Sequence, residues 1–378
     1  MMHGRLTLLP LAAALLAGCV TDPAKNVAEY DDNVTLRYPS LSLYQTQLPP
    51  EQLSECREYD QSSALNYCLV NDIDGYSFVD SIRDSRLFEQ VYAGQEGGEY
   101  ELYISTARYK SEGAEEIAAA AFSGATLLLV PTEMSSTVKA NLTLAWREIP
   151  IKTYQYELPH VHTLSLFHDP NASDSNFAKS LFSHFMKDAQ QDDAFSQQFL
   201  QQALSSSNYS SELTLPQQIH DFSRLDTVIQ RDPLQGVDTW YQHPDYSDDQ
   251  IHLNIRPIPR TEWDEMEAVL VQALTKAQKS VEIEAMEQQF NDVQIQDVTF
   301  VSSTQKALPG AYLSVSMTDN TGEPLHRSIF VYANEDKLIQ FTTNFPPKWA
   351  TPRITEAVDA IEVPGESLFI AKLRQQHR

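Results

Sequence analysis

A short apolar segment at the N-terminus places the strongest constraint on this chain. Arg5 lies just before it, and residues 6–17 are almost wholly leucine and alanine, interrupted by Thr7 and Pro10. The run is about 12 residues long, whereas a membrane-spanning helix needs about 20. The segment therefore indicates a secretion signal, and we expect the rest of the chain to fold in an oxidising compartment.

The signal ends in Leu16-Ala17-Gly18-Cys19, which resembles the lipobox of bacterial lipoproteins. The resemblance implies cleavage before Cys19, diacylation of its thiol and acylation of the new amine. Two or more acyl chains hold a protein firmly at a membrane, because each buried CH₂ contributes about 0.8 kcal/mol. Val20, not Asp, follows the cysteine, so resemblance to Gram-negative lipoproteins implies an outer-membrane anchor facing the periplasm. An ordinary cleaved signal with an incidental cysteine is the alternative.

Two further cysteines, Cys56 and Cys68, lie early in the chain. An even number of cysteines in an oxidising compartment favours pairing. A bridge between them closes a loop of about 13 residues, for which chain entropy predicts about 3 kcal/mol of stabilisation. The sequence has no Cys-x-x-Cys redox pattern. We therefore predict a structural disulfide, with two unpaired cysteines as the alternative.

The charge balance of the chain argues against nucleic acid as a partner. The sequence has 52 Asp and Glu against 27 Lys and Arg, a formal net charge of -25 at pH 7. Binding to nucleic acid needs a basic face that neutralises phosphates, and the sequence offers none. We interpret the acidic surface as a solubility feature. Binding of calcium or of a cationic partner is the alternative.

The sequence divides into a signal, a leader and two folded parts. Residues 1–18 form the signal, and residues 19–69 are predicted as a tether that carries the two later cysteines. Helical stripes and alternating strands predict an N-terminal α/β domain over 70–204. A serine-rich, acidic stretch indicates a linker over 205–233. Residues 234–378 are predicted as a C-terminal α/β domain.

The predicted fold class is α+β, with two small sandwich-like domains in which antiparallel sheets pack against helices. The N-terminal order of elements resembles periplasmic lipoprotein domains that take part in envelope assembly. The C-terminal domain has the order helix, four strands, helix, which resembles the PsbP-like and DcrB-like lipoproteins of the periplasm and thylakoid lumen. That resemblance implies a mostly non-enzymatic domain. The C-terminal elements are predicted at 259–280, 293–302, 311–317, 328–333, 337–345 and 355–361.

Three histidines form the one dense cluster of metal-ligating residue types. His160 and His162 would share one face of a strand, and His168 follows in a loop, so three imidazoles could converge on zinc. However, the sequence has no His-Glu-x-x-His pattern and no downstream carboxylate at a recognisable spacing. We interpret them as structural or surface histidines, with a metal-dependent hydrolase as the alternative.

Other catalytic signatures are absent from the sequence. It has no Gly-x-Ser-x-Gly elbow, phosphate loop, dinucleotide glycine motif or EF-hand loop, and only 12 glycines. We therefore predict no catalytic residue and no cofactor. The predicted function is a non-catalytic, outer-membrane-anchored periplasmic lipoprotein that binds an envelope protein as a binding or assembly component. Alternatives are the hydrolase and a small-ligand or cation-binding module.

Overall fold

The computed structural model shows two compact units, Met1–Ser196 and Gln197–Arg378. Each unit has its own sheet packed with helices, so the predicted fold class, α+β with mainly antiparallel sheets, is confirmed. The structure describes residues 26–111, 113, 118, 121–122, 132–164, 172–258 and 265–376.

The first unit is built on one sheet. Its described elements are β1 (Leu41–Gln45), α1 (Pro50–Ser62), β2 (Asn66–Val70), α2 (Gly75–Ser85), β3 (Val91–Ala93), β4 (Tyr100–Ser111), β5 (Thr132–Trp146), β6 (Ile149–Leu164) and α3 (Ala172–Gln191). The six strands have the order β3-β1-β4-β5-β6, with β2 paired to the second half of β4. β1 is parallel to β3 and β4, whereas the other pairs are antiparallel.

Helices lie on both faces of this sheet. α3 packs on one face, where the ring of Phe185 meets the ring of Tyr154 edge to face at a centroid distance of 5.4 Å. α1 lies on the other face, where Asn141 of β5 donates a hydrogen bond to Gln52. The first sheet is therefore the central layer of its unit.

The leader predicted as a tether over 19–69 is largely part of the first unit. The hydroxyl of Ser180 in α3 donates to the carbonyl oxygen of Asn26 at 2.8 Å. The backbone N–H of Ala28 donates to Ser183 Oγ, also at 2.8 Å. β1 and β2 then pair with β4, and α1 packs against β2 and β4. The tether prediction is wrong from residue 26 onward, because a short sequence segment does not reveal that it pairs with strands far along the chain.

The second unit contains a nine-stranded, fully antiparallel sheet. Its described elements are α4 (Gln197–Leu204), α5 (Tyr209–Glu212), β7 (Gln218–Ile219), β8 (Phe222–Ile229), β9 (Val237–Gln242), β10 (Gln250–Pro257), α6 (Met266–Glu287), β11 (Asn291–Ile295), β12 (Thr299–Ser302), β13 (Pro309–Thr318), β14 (Pro324–Asn334), β15 (Lys337–Thr343), α7 (Pro347–Ala357) and α8 (Leu368–Gln376). The strand order is β11-β13-β14-β15-β10-β9-β8-β7, and β12 also pairs with β13.

Two apolar clusters bury the two faces of the second sheet. In β14, Phe330 and Tyr332 belong to the cluster that includes α7, whereas Ile329 and Val331 belong to the cluster that includes α6. Side chains alternate between faces along a strand. The unbroken burial of residues 328–333 therefore marks β14 as a strand covered on both sides. Each large apolar side chain buried there contributes about 1.5–3 kcal/mol.

The stretch predicted as a linker, 205–233, is part of this second unit. It contains α5, β7 and β8, and both Ile219 and Phe222 are buried in the α7 cluster. β8 lies next to the edge of the sheet, and such strands carry exposed polar residues. Its polar composition therefore resembles that of a linker. The boundary falls after Ser196, so α4, predicted within 70–204, also belongs to the second unit.

Candidate functional site

One face of the second sheet is only partly covered by a helix. α6 packs on this face over β13 and β14. β10 continues the same face, because His252 lies opposite Thr342 of β15, and Thr342 lies opposite Ile329 of the α6 cluster. His252, Asn254 and Arg256 alternate with buried residues along β10. They form a half-buried polar surface beside α6.

Gly236 determines how closely β9 approaches β10. Its φ is 69°, and a Cβ at this position would lie 1.9 Å from the carbonyl oxygen of Ile255. Glycine adopts this conformation without steric cost, whereas another residue would displace β10. The close approach places Asp238 of β9 opposite Asn254 of β10.

Asp238 is the centre of a hydrogen-bond network on this polar surface. Its Oδ1 accepts from His252 Nε2 at 2.7 Å and from Asn254 Nδ2 at 3.1 Å. Its Oδ2 accepts from Gln230 Nε2 at 2.7 Å. Burial alone would raise the pKa of Asp238, but these hydrogen bonds hold its pKa below the usual value. The carboxylate is therefore a fixed anion whose oxygens are directed at protein donors.

An aromatic pair adjoins this network. The indole of Trp240 stacks on the imidazole of His252, with ring centroids 5.0 Å apart and an interplanar angle of 27°. The two residues are direct cross-strand partners in β9 and β10. The stack and the bond to Asp238 fix the ring of His252 from two directions, so this part of the surface is preorganised.

Arg256 lies at the end of the network nearest to α6. Its Nη1 donates to Asn254 Oδ1 at 2.5 Å, and its Nη2 donates to Gln340 Oε1 at 3.0 Å. Both acceptors are neutral amides. Burial lowers the pKa of Arg256, and the charge of Asp238 opposes that shift. A guanidinium stays protonated under such conditions, so this is a half-buried cation whose hydrogen-bond acceptors among the described residues carry no charge.

An open groove lies between Arg256 and the side of α6. We call it the α6 groove, and its volume is about 500 Å³, within the range typical of small-ligand sites. Its described lining residues are neutral or cationic, and they come from β10, the residue that follows it, α6 and β15. They are Arg256, Pro257, Ile258, Val269, Gln272, Ala273, Thr275, Lys276, Lys279 and Leu338.

The polar groups of this region form a hydrogen-bond network beside the α6 groove. Hydrogen bonds between described residues connect Asp238 and His252 to amide side chains and to each other, and none of those bonds reaches a serine, threonine or cysteine nucleophile. A hydrolytic triad requires such a nucleophile next to the base. The groove instead offers apolar walls and fixed polar groups, as a ligand site does.

The structure joins Cys56 and Cys68 in a disulfide, as predicted. Their Cα atoms are 5.4 Å apart, within the usual range for a disulfide. The bridge connects the buried side of α1 to β2, a strand that pairs with β4 alone among the described residues. It therefore fixes α1 to the sheet. Cys19, the predicted lipidation site, lies outside the described residues.

His160 has a structural environment. Its side chain is 1% exposed, and its Nε2 donates to Asp174 Oδ1 at 2.9 Å. Its Nδ1 accepts from Arg108 Nη1 at 3.4 Å, and Arg108 also pairs with Asp72. Both ring nitrogens therefore have partners from the protein. Burial alone would raise the pKa of Asp174, but the hydrogen bond from His160 and the charge of Arg108 hold its pKa below the usual value.

The other two predicted metal ligands do not complete a site in the described structure. His162 lies two residues along β6, half-buried and with an interaction of its own. His168 lies outside the described residues. In the part of the chain that the structure describes, no group of three metal-ligating side chains could hold an ion. The zinc alternative thus rests on a histidine whose ring nitrogens are both engaged.

Sequence reasoning missed the polar surface of the second sheet. The signal was present in Gln250–Pro257, where His252, Asn254 and Arg256 alternate with isoleucine and leucine. That alternation predicts a strand with one buried face. It does not reveal that Asp238 lies opposite Asn254, because the pairing depends on strand register.

Comparisons with known proteins leave the family open. No protein-family model matches the chain, and no curated protein matches it by sequence. A cyanobacterial PsbP (CyanoP) from Synechocystis sp. PCC 6803, solved in solution, is similar at a TM-score of 0.26 and 15% identity, covering 40% of this chain and 93% of that one. A DUF330 protein from Xanthomonas campestris is similar at a TM-score of 0.23 and 10% identity, covering 45% and 97%. Scores this low establish neither a common fold nor a common function.

Proposed function

We propose that this protein is a non-catalytic lipoprotein of the bacterial envelope, anchored in the outer membrane through Cys19 and facing the periplasm, where it acts as a binding or assembly component. The observation that carries the binding role is the α6 groove, a ligand-sized groove with apolar and cationic lining that adjoins the hydrogen-bond network of Asp238. The anchor itself is proposed from the segment Leu16-Ala17-Gly18-Cys19.

One feature supports the proposed location. The Cys56–Cys68 disulfide suits an oxidising compartment such as the periplasm. Among the described helices, none combines the length and the apolarity needed to cross a membrane. An acyl anchor at Cys19 would supply the membrane attachment.

The proposal is tested by crosslinking in intact cells. Amine-reactive crosslinking of the wild-type protein is compared with that of Cys19→Ser, which lacks the acylated thiol. We expect a discrete crosslinked species containing one envelope protein, and we expect its yield to fall sharply in the released variant. The absence of any specific crosslink to an envelope component from the anchored protein would refute the assembly role.

A matched control uses Cys56→Ala/Cys68→Ala, which removes two cysteines but leaves the acylation site. This variant should keep membrane attachment. If it were released like Cys19→Ser, release would reflect misfolding and not loss of the lipid.

A further inference from the structure

The α6 groove combines a cationic rim with an apolar wall. The cationic rim consists of Arg256, Lys276 and Lys279, and the apolar wall is formed mainly by Val269, Ala273 and Leu338. Among the described residues that line the groove, none is acidic. The described lining residues, with three cations and no acid, therefore differ from the chain as a whole, which has 52 acidic and 27 basic residues.

The three cations of the rim have charge available for a ligand. Among the described residues, Lys276 and Lys279 form no ion pair, and both are exposed on the side of α6 that faces the groove. Arg256 donates to two neutral amide oxygens and to no described carboxylate. The nearest interacting anion, Asp238, is already the acceptor of three hydrogen bonds.

The apolar wall and the cationic rim lie side by side because of helical spacing. Val269, Ala273 and Lys276 follow one another at intervals of four and three residues, so they lie along one line of α6. Leu338 closes the groove from β15 next to Arg256, its cross-strand partner in β10. A ligand in the groove would therefore meet an apolar surface and a cationic end at the same time.

We propose that the α6 groove binds a small single-chain amphiphilic anion, with its acidic head at the cationic rim and its apolar chain against the apolar wall. This inference rests on the proposed binding function and names the ligand class. Arg256 is held by Asn254 and Gln340 in a fixed orientation, and a guanidinium fork fits a carboxylate with two parallel hydrogen bonds. The volume of about 500 Å³ admits a ligand of this size.

The test is calorimetric titration of decanoate into the full chain carrying Cys19→Ser, which removes the lipidation site so that no detergent is needed. We expect saturable binding at one site. Hexanoate should bind weaker by at least tenfold, because it lacks four CH₂ groups that decanoate buries. Decanol, which has the chain but no charge, should also bind at least tenfold more weakly.

The variant Lys276→Gln/Lys279→Gln tests the cationic rim. Both side chains are exposed, so the variant should fold normally, and decanoate affinity should fall about tenfold or more. The matched control is Lys179→Gln/Lys187→Gln, which removes the same charge from exposed positions of α3 in the first unit. The control should bind decanoate like the parent protein.

Several results would overturn the inference. They are no saturable decanoate binding, equal affinity for decanol, or an equal loss of affinity in the α3 control. Sedimentation with vesicles of phosphatidylglycerol that depends on Lys276 and Lys279, without binding of decanoate, would assign the rim to a membrane surface instead. None of these outcomes affects the envelope crosslink, so failure of this inference is distinct from failure of the proposed function.

Discussion

Removal of the Cys56–Cys68 disulfide should destabilise the first unit by about 3 kcal/mol. The two residues are 12 positions apart, and closing a loop of this length restricts the unfolded chain by about 3 kcal/mol in the chain-entropy model. Cys56 is 3% exposed, so alanine leaves less buried polar surface than serine would. We therefore choose Cys56→Ala/Cys68→Ala as the perturbation.

Urea unfolding followed by tryptophan fluorescence measures this change. Trp146 is the one tryptophan of the first unit and is 1% exposed, so its emission reports unfolding there. Replacement of Trp240, Trp263 and Trp349 by phenylalanine isolates its signal. With a denaturant slope of about 2 kcal/mol per molar urea, the midpoint should fall by about 1.5 M.

The wild-type protein, with its disulfide reduced and kept reduced during unfolding, serves as the control. Its free energy of unfolding should match that of the double alanine variant. A loss below about 1 kcal/mol would refute the reasoning, because it would mean that α1 and β2 do not depend on the bridge. A loss of the same size in the second unit, measured in a separate protein that keeps Trp349 and carries Trp146→Phe, would also refute it.

Three further predictions concern the boundary, the polar surface and the anchor. The fragment 197–378 should unfold in one cooperative urea transition, whereas 234–378 should not, because it lacks β7 and β8; cooperative unfolding of the shorter fragment would contradict the boundary. Asp238→Asn should lower stability by about 1–3 kcal/mol at pH 7. The folded pKa of Asp238 is depressed, so its contribution to stability is present above the unfolded pKa of about 3.9 and is lost as pH falls through the folded pKa. Urea unfolding should therefore show a smaller difference in free energy of unfolding between the wild-type protein and Asp238→Asn at pH 3 than at pH 7, and an equal difference at both pH values would contradict this. Cys19→Ser should move the protein from the membrane to the soluble fraction, and a cleaved variant that stays with membranes after a high-salt wash would rule out the lipid anchor.

The sequence predicted the strands of the second sheet best where turn residues delimit them. The segments predicted at 328–333 and 337–345 correspond to β14 and β15, because Asn334, Glu335 and Asp336 form a short polar turn between two apolar runs. Local signals of this kind do not depend on distant parts of the chain.

The helix that follows that sheet begins earlier in the chain than the sequence predicts. The sequence predicts a strand over 337–345 and a final helix over 355–361, with Pro347 between them. The structure begins α7 at Pro347 and ends it at Ala357. Proline is favoured in the first turn of a helix, where its missing N–H costs no hydrogen bond. The same residue can therefore mark an end or a beginning, and its sequence context does not decide which.

The candidate site was less predictable than the fold because its parts come from separate strands. Arg256 and Lys276 lie 20 residues apart, and residues 259–264 between them are outside the described structure. Their approach depends on how α6 lies across β13 and β14. Likewise, the partners of His160 come from β4 and α3, and no local pattern connects Arg108 to Asp174.

The bonds between the leader and α3 limit how far the first unit can extend from a membrane. Asn26 already contacts Ser180 of α3. If Cys19 carries the acyl chains as proposed, only the seven steps from Cys19 to Asn26 separate the anchor from the fold. A fully extended chain spans at most about 3.6 Å per residue, so this distance is at most about 25 Å. The contact between Asn26 and Ser180 would therefore lie within this distance of the acylated residue, which would keep the first unit close to the membrane surface.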